Sequence, residues 1–297
     1  MSSETQYRDA SAGLNAKYAA EKAARIRSDG HGQYQELRTT SSARLASIGT
    51  DPWVDHAALD AAAPNIKQHD DFQVVIVGAG LGGLMSAIRL VEKGMAADKI
   101  RLIDVAGGFG GAWYWNRYPG VMCDIESSMY LPFLERMKYK PKHRFAYGCE
   151  IREYIELLAK EHDLFDKAVF RTTVTKLAWN DDNRRWISSL TQQRGSGEPA
   201  RSLTVSSQFV FVAAGFFNHP KVPAIGDLAS FAGDMMHTAR WDYAATGGSP
   251  TEAARLTRLR GKTVGVVGTG ASAVQCVPAL ARSARALGRC RRGSGRW

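Results

Sequence analysis

The amino-acid sequence predicts an α/β fold, and three observations predict it. Two continuous apolar runs, FQVVIV at 72–77 and KTVGVV at 262–267, each lead into a glycine-rich turn and then an apolar helix. Between them, VFRTTVTKLAWN, RRWISSLTQ and RSLTVSS alternate as antiparallel strands do, with NDDN and QQRGSGEP as their turns. Hydrophobic content of 44% with 23% charged residues marks a globular chain, and 297 residues are enough for two domains. The expected architecture is a Rossmann-like domain with an antiparallel β insertion, followed by the start of a second Rossmann-like unit.

Residues 1–70 read as a helical arm packed on the domain that follows, without recognisable chemistry. Its first helical piece ends near Gly30, and DPWVDHAALDAAAPN forms a second, beginning at Asp51 or Pro52. FQVVIV is then a strand buried on both faces. GAGLGGLMSAIRLVEKG is a glycine turn with its helix, and KIRLID at 99–104 is the next strand. Within this β-α-β unit Gly78, Gly80 and Gly83 form G-x-G-x-x-G, with Asp104 placed 21 residues after the third glycine. Gly78 permits the tight turn, Gly80 lets a pyrophosphate approach the backbone, and Gly83 allows close helix–strand packing. The helix N-terminus offers free N–H groups to phosphates, and the spaced acid accepts from ribose hydroxyls. A dinucleotide is expected here.

IREYIELLAKEHDLFDK, 151–167, is an amphipathic helix, and QFVFVAAG, 208–215, is a buried strand ending in small residues. A second nucleotide turn follows KTVGVV: Gly268, Thr269, Gly270, Ala271, Ser272 and Ala273, then Val274 and Gln275 in the helix. Alanine in the third position is an allowed variant. Two turns imply two dinucleotides. After that helix ALGRCRRGSGRW shows no strand pattern. Residues 282–297 hold six arginines and no acid, leaving +4 of the formal +10 for the rest of the chain. Nucleic-acid binding is not expected from so local an excess. A tail that did bind nucleic acid would show steeply salt-dependent affinity. Four cysteines without CxxC pairing indicate neither a zinc site nor a disulfide framework. The absence of a long apolar run or a signal peptide predicts a cytoplasmic protein without membrane contact.

GGAWYWNRYPGVMCD, 110–124, fits neither helical nor strand periodicity. FAGDMMHTARWD places Phe231, Gly233, His237, Trp241 and Asp242 as F-x-G-x-x-x-H-x-x-x-W-D between the two turns. In these motifs the sequence resembles the type I Baeyer–Villiger monooxygenases, over about residues 72–285, and its arm looks like that of fungal members acting on polyketide or terpenoid ketones. The resemblance implies FAD at the first turn and NADPH at the second, residues 268–275. It implies insertion of one oxygen atom of O2 beside a ketone carbonyl, giving an ester or lactone, in fungal secondary metabolism. Gly111 would approach the flavin, with Ala112, Trp113, Tyr114 and Trp115 packing on it and excluding water. Ala112 replaces the family's usual threonine. Asp124, Ile125 and Tyr130 would touch the flavin, and Met122, Cys123 and Asp124 would line the nicotinamide side. Asp124 matches the carboxylate that orients a catalytic arginine, and His237 matches a residue coupling domain movement to turnover.

The domains implied are a 1–70 arm, a 71–225 FAD-binding domain, a 226–260 fingerprint linker, a 261–286 start of an NADP-binding domain and a 287–297 basic tail. The family's arginine falls beyond residue 297. The chain therefore reads as C-terminally truncated, with its own activity an open matter. Two alternatives stand beside this reading. A flavin N- or S-oxygenase would convert amine to hydroxylamine rather than ketone to ester, and Trp241-Asp242 argues against it. A non-catalytic FAD-binding remnant would show a flavin spectrum without substrate-dependent NADPH consumption. The ketone and the oligomeric state are not encoded legibly.

Overall fold

A computed structural model describes residues 3–26, 30–195, 198–216, 218–251 and 254–290. The chain opens with α1 (Ser3–Arg25), β1 (Tyr34–Glu36), α2 (Ala43–Ser47) and α3 (His56–Ala61). β2 (Asp71–Val77), α4 (Leu81–Glu92) and β3 (Ile100–Ile103) form the first β-α-β unit. Next come α5 (Ala112–Trp115), α6 (Ser127–Tyr130), α7 (Leu134–Met137) and α8 (Gly148–Glu161). Strands β4 (Ala168–Val169), β5 (Thr172–Asn180), β6 (Arg185–Gln192) and β7 (Arg201–Val212) complete the main sheet. β8 (Lys221–Pro223), α9 (Tyr243–Thr246), β9 (Thr263–Val267), α10 (Ala271–Ser283) and β10 (Ala286–Cys290) follow.

The main sheet has the order β4-β3-β2-β7-β6-β5. β4, β3, β2 and β7 are parallel, while β6 runs antiparallel to both of its neighbours, β7 and β5. Val74, Ile76, Leu84, Ile88, Ile100 and Leu102 form one core face with Ile151, Ile155 and Leu158 of α8. Val75, Ile103, Leu190, Leu203 and Val205 form the other, closed by Ile66 from the arm. Each such side chain, fully buried, contributes about 1.5–3 kcal/mol.

Several expectations are corrected. RSLTVSS and QFVFV are one strand, not two: residues 201–207 pair with β6, and 206–212 pair with β2. The upper half of that strand is not buried. Phe209 is 60% and Val212 71% exposed, because the pairing with β6 stops at Ser207 and no described element covers the face beyond. The 151–167 helix instead spans 148–161, with a separate 3-10 turn at Phe165–Lys167.

Within the arm, residues 11–24 of α1 are exposed on every side, so this part of the helix is not packed on the domain. What packs is the stretch after it. β1 pairs antiparallel with β8, and Leu37, Leu45 and Ile48 bury against Val222. α3 begins at His56, where Asp55 accepts from the Ala58 N–H at 2.9 Å, rather than at Asp51 or Pro52. The segment expected to hold no strand contains β10, parallel to β9 from Ala286↔Thr263 to Cys290↔Val267. Its five residues are too few for a periodic signal to show. Residues 291–297 of the basic tail lie outside the described residues. Among the described residues no helix is long and apolar enough to cross a membrane.

Candidate functional site

The site is built where β2 runs into α4. Gly78 has φ +117°, and a Cβ there would lie 2.3 Å from the Ala213 carbonyl oxygen. At Gly83 a Cβ would lie 1.9 Å from the Gly78 carbonyl oxygen, and at Gly80 it would lie 3.3 Å from Cα of Gly111. All three glycines therefore make room for backbone, as the spacing predicts. Gly80 caps α4 without any side-chain hydrogen bond, and the first turn holds no acid. Its N–H groups and the positive dipole end remain available to an anion.

Asp104 stands just past β3 with a different immediate role from the one expected. Its Oδ2 accepts from the Ala79 N–H at 2.7 Å and its Oδ1 from the Ala106 N–H at 2.9 Å. Burial raises its carboxyl above the ordinary 3.8, against the pull of these bonds. The acid thus ties β3 to the glycine elbow while remaining partly exposed.

A glycine arc, 107–111, leads from Asp104 to the aromatic stretch. The Gly110 N–H donates to the Ala79 carbonyl at 3.2 Å, seating the arc on the elbow. Ala112 to Trp115 then form one helical turn, where no regular structure was expected, with Gly111 at φ +56° before it. Each of the three rings has a partner within the protein. Trp113 Nε1 donates to Tyr130 Oη at 2.8 Å. Tyr114, 3% exposed, donates its hydroxyl to Asp51 Oδ2 at 2.8 Å, and burial and then Asp51 push its pKa well above 10. Trp115, 5% exposed, lies under the Arg240 guanidinium at 3.6 Å. All three rings are thus held by protein partners. They anchor the turn, and exposed Ala112 and half-buried Gly111 are what it presents beside Gly80.

Further along, Met122 bridges Tyr147 and Cys123 is buried, which raises its thiol pKa. Asp124 and Ile125 are exposed, and Tyr130 is half-buried beside Trp113. Sequence reasoning missed Asp51, Trp53, Arg117 and Arg240. The local signals were an Asp-Pro-Trp at 51–53 in an otherwise alanine-rich arm, and the place of Arg117 and Arg240 inside the 110–124 and 231–242 motifs.

His237 acts as a cap: Nδ1 accepts from the Ala239 N–H at 3.1 Å. Burial, then the nearby Arg240 charge, lowers its pKa from 6.5 to about 4. The ring is neutral at pH 7. Because the folded value lies below the unfolded one, its contribution is present above pH 6.5 and is lost as pH falls toward 4. The loss expected is roughly 3 kcal/mol. Urea unfolding at pH 7 and pH 4.5 checks it, and His237→Gln should remove most of the difference. Trp241 Nε1 donates to Thr246 Oγ1 at 3.1 Å, and Asp242 caps α9 through the Ala244 and Ala245 N–H groups.

The second turn repeats the backbone of the first without its surroundings. Gly268 has φ +113°, and Gly270 caps α10 with no side-chain bond. A Cβ on either glycine would meet nothing within 4 Å. Exposed Thr269, Ala271 and Val274 face outward, while Ala273 is buried. Ser272 and Gln275 have partners within the protein. Ser272 is hydrogen-bonded to Tyr118. Gln275 Oε1 accepts from Tyr118 Oη at 2.8 Å and its Nε2 donates to the Met122 carbonyl at 2.9 Å. With Cys276, Ala279 and Leu280 packed on Tyr118, Trp241, Leu256 and Leu259, these bonds support α10. Gln275→Leu should destabilise the 263–290 unit by about 1–3 kcal/mol, read as faster amide exchange there than in β2.

Residues 76–141 match the family model of the NAD(P)-binding Rossmann-like domain. A polycyclic ketone monooxygenase of Thermothelomyces thermophilus is 47% identical over 276 residues, 92% of this chain and 42% of that protein. An FAD-binding monooxygenase of Aspergillus terreus is 42% identical over 254 residues, 84% of this chain and 39% of that protein. The solved polycyclic ketone monooxygenase from Thermothelomyces thermophila superposes with a TM-score of 0.89 at 46% identity, over 93% of this chain and 44% of that one. OTEMO in complex with FAD and NADP superposes with a TM-score of 0.62 at 30% identity, over 74% and 39%. The chain thus spans about two-fifths of the length of the relatives it matches.

Proposed function

From the premise that this chain belongs to the Baeyer–Villiger type of FAD-binding monooxygenases, we propose that it binds FAD at its first glycine elbow. We propose, further, that it serves the insertion of one oxygen atom of O2 beside a ketone carbonyl, with NADPH as reductant. The observation that carries this reading is the elbow itself: an uncapped α4 N-terminus, three glycines lying against backbone, and the 107–111 arc seated on Ala79. Such a cradle suits a diphosphate, and only glycine gives the backbone approach it needs.

Bound there, the flavin supplies the oxygen chemistry and the protein supplies position, charge and exclusion of water. The N–H groups of α4 would take the diphosphate, and the partly exposed edge of Asp104 a ribose hydroxyl. Ala112 and Gly111 would form the surface under the ring. Asp124 and Ile125, exposed on the loop after Cys123, would face the reacting side, with Asp124 able to orient a cation there. Gly268 and Gly270 would receive the NADPH diphosphate at the uncapped α10 N-terminus.

The name of the polycyclic ketone monooxygenase relative supports a bulky ring ketone as substrate, and we place the reaction in the cytoplasm, within fungal secondary metabolism. Purification followed by an absorbance scan tests the cofactor, with flavin bands expected on the protein. Conversion of a polycyclic ketone to an ester or lactone in the presence of NADPH tests the reaction. Absence of flavin from protein incubated with FAD contradicts the proposal.

A further inference from the structure

Behind the elbow, three segments far apart in sequence meet around the aromatic turn. Asp51 Oδ2 accepts from Tyr114 Oη at 2.8 Å and from the Gly107 N–H at 3.2 Å, while its Oδ1 accepts from the Trp53 N–H at 2.9 Å. The Arg117 guanidinium lies between Trp53, 4.9 Å from that ring's centroid, and Tyr114, 4.6 Å away. Its Nε donates to the Tyr114 carbonyl at 2.8 Å, and Tyr243 Oη donates to the Arg117 carbonyl at 2.7 Å. Arg240, 6% exposed, covers Trp115 and donates to the Ala239 and Asn218 carbonyls, both at 2.8 Å.

This cluster reaches the elbow through an unbroken line of contact. A Cβ on Gly107 would lie 2.5 Å from Tyr114 Oη, and one on Gly108 would lie 3.1 Å from its ring. At Gly110 it would lie 2.9 Å from the Tyr114 N. The glycine arc is therefore moulded on the Tyr114 ring, and its far end, Gly111, lies against Gly80. Moving that ring moves the surface beside the elbow.

Stability alone does not account for the cluster. Trp53 Nε1 and Arg240 Nε are buried without an acceptor among the described residues, a disfavoured state for a core donor. Arg240 also holds its charge against carbonyls and a ring face, with no carboxylate in contact among the described residues.

We propose that Asp51, Trp53 and Arg240 are positioning residues for the flavin, fixing through Tyr114 and Trp115 where the 107–112 backbone meets the cofactor. The inference rests on the assignment of FAD to the first elbow. The arm and the fingerprint linker thereby become part of the cofactor site without touching it.

The test titrates the full chain with FAD, following flavin fluorescence, and records the visible circular dichroism of the bound flavin at saturation and the melting midpoint of the FAD-free protein. Asp51→Asn and Arg240→Met should each weaken FAD binding about tenfold and alter the visible dichroism of what still binds. Arg240→Lys should recover part of both changes. Tyr114→Phe, the mildest substitution, should show the same dichroism change with the fold intact. Unchanged FAD affinity and dichroism across these variants, with only the FAD-free melting midpoint lowered, overturns the inference while leaving the proposed function standing. No FAD binding by the unaltered chain overturns both.

Discussion

Gly83→Ala is expected to cost about 3 kcal/mol or more and to abolish FAD retention. The added methyl would sit 1.9 Å from the Gly78 carbonyl oxygen, which is backbone held between β2 and Ala213 and cannot rotate away. Relief requires α4 to lift from β2, and that separates Leu84 and Ile88 from Ile76 and Leu102 in the core. Urea unfolding and the flavin content of the purified protein measure the two effects. A control separates crowding from backbone strain. Gly268 shares the positive φ of Gly78 but has nothing within 4 Å, so Gly268→Ala should cost only the strain of its dihedral, about 1–3 kcal/mol. Equal losses in the two variants would show that the packing argument is wrong.

Asp104→Asn is expected to be the other large effect. An amide presents one oxygen and one NH2 group, so it can serve only one of the two N–H donors, from Ala79 and Ala106. The remaining donor is left without its acceptor, at about 1–3 kcal/mol. Ala79 sits inside the elbow and also accepts from the Gly110 N–H, so the displacement reaches the 107–111 arc. Stability and FAD affinity should therefore fall together. If affinity drops while the unfolding midpoint stays, Asp104 is acting on the ribose alone, as its spacing first indicated.

How much of this was legible in the sequence depends on the range of the interaction. The elbow was legible because Gly78, Gly80, Gly83 and the β-branched run before them satisfy constraints set within a few residues. The merging of RSLTVSS with QFVFV was not, since no turn residue marks Ser207–Gln208 and the change of partner there is a property of β2 and β6. The exposure of Phe209 and Val212 is likewise set by neighbours, which strand periodicity does not report.

The aromatic turn is the instructive case. Its motif marks the stretch, but the partners that hold its rings lie far away in the sequence. Tyr114 finds its acceptor 63 positions away in the arm, and Trp115 finds its cation in the linker. Gln275 illustrates the same limit. It sits where a nucleotide-binding side chain is expected by pattern, yet it bonds to Tyr118 and Met122.

Backbone amide exchange with and without FAD tests the central claim most directly. Seating of the flavin diphosphate at α4 predicts slowed exchange at residues 79–84 and 107–113 on adding FAD, with little change at 268–274. Slowing confined to 268–274, or none at either turn, would contradict it.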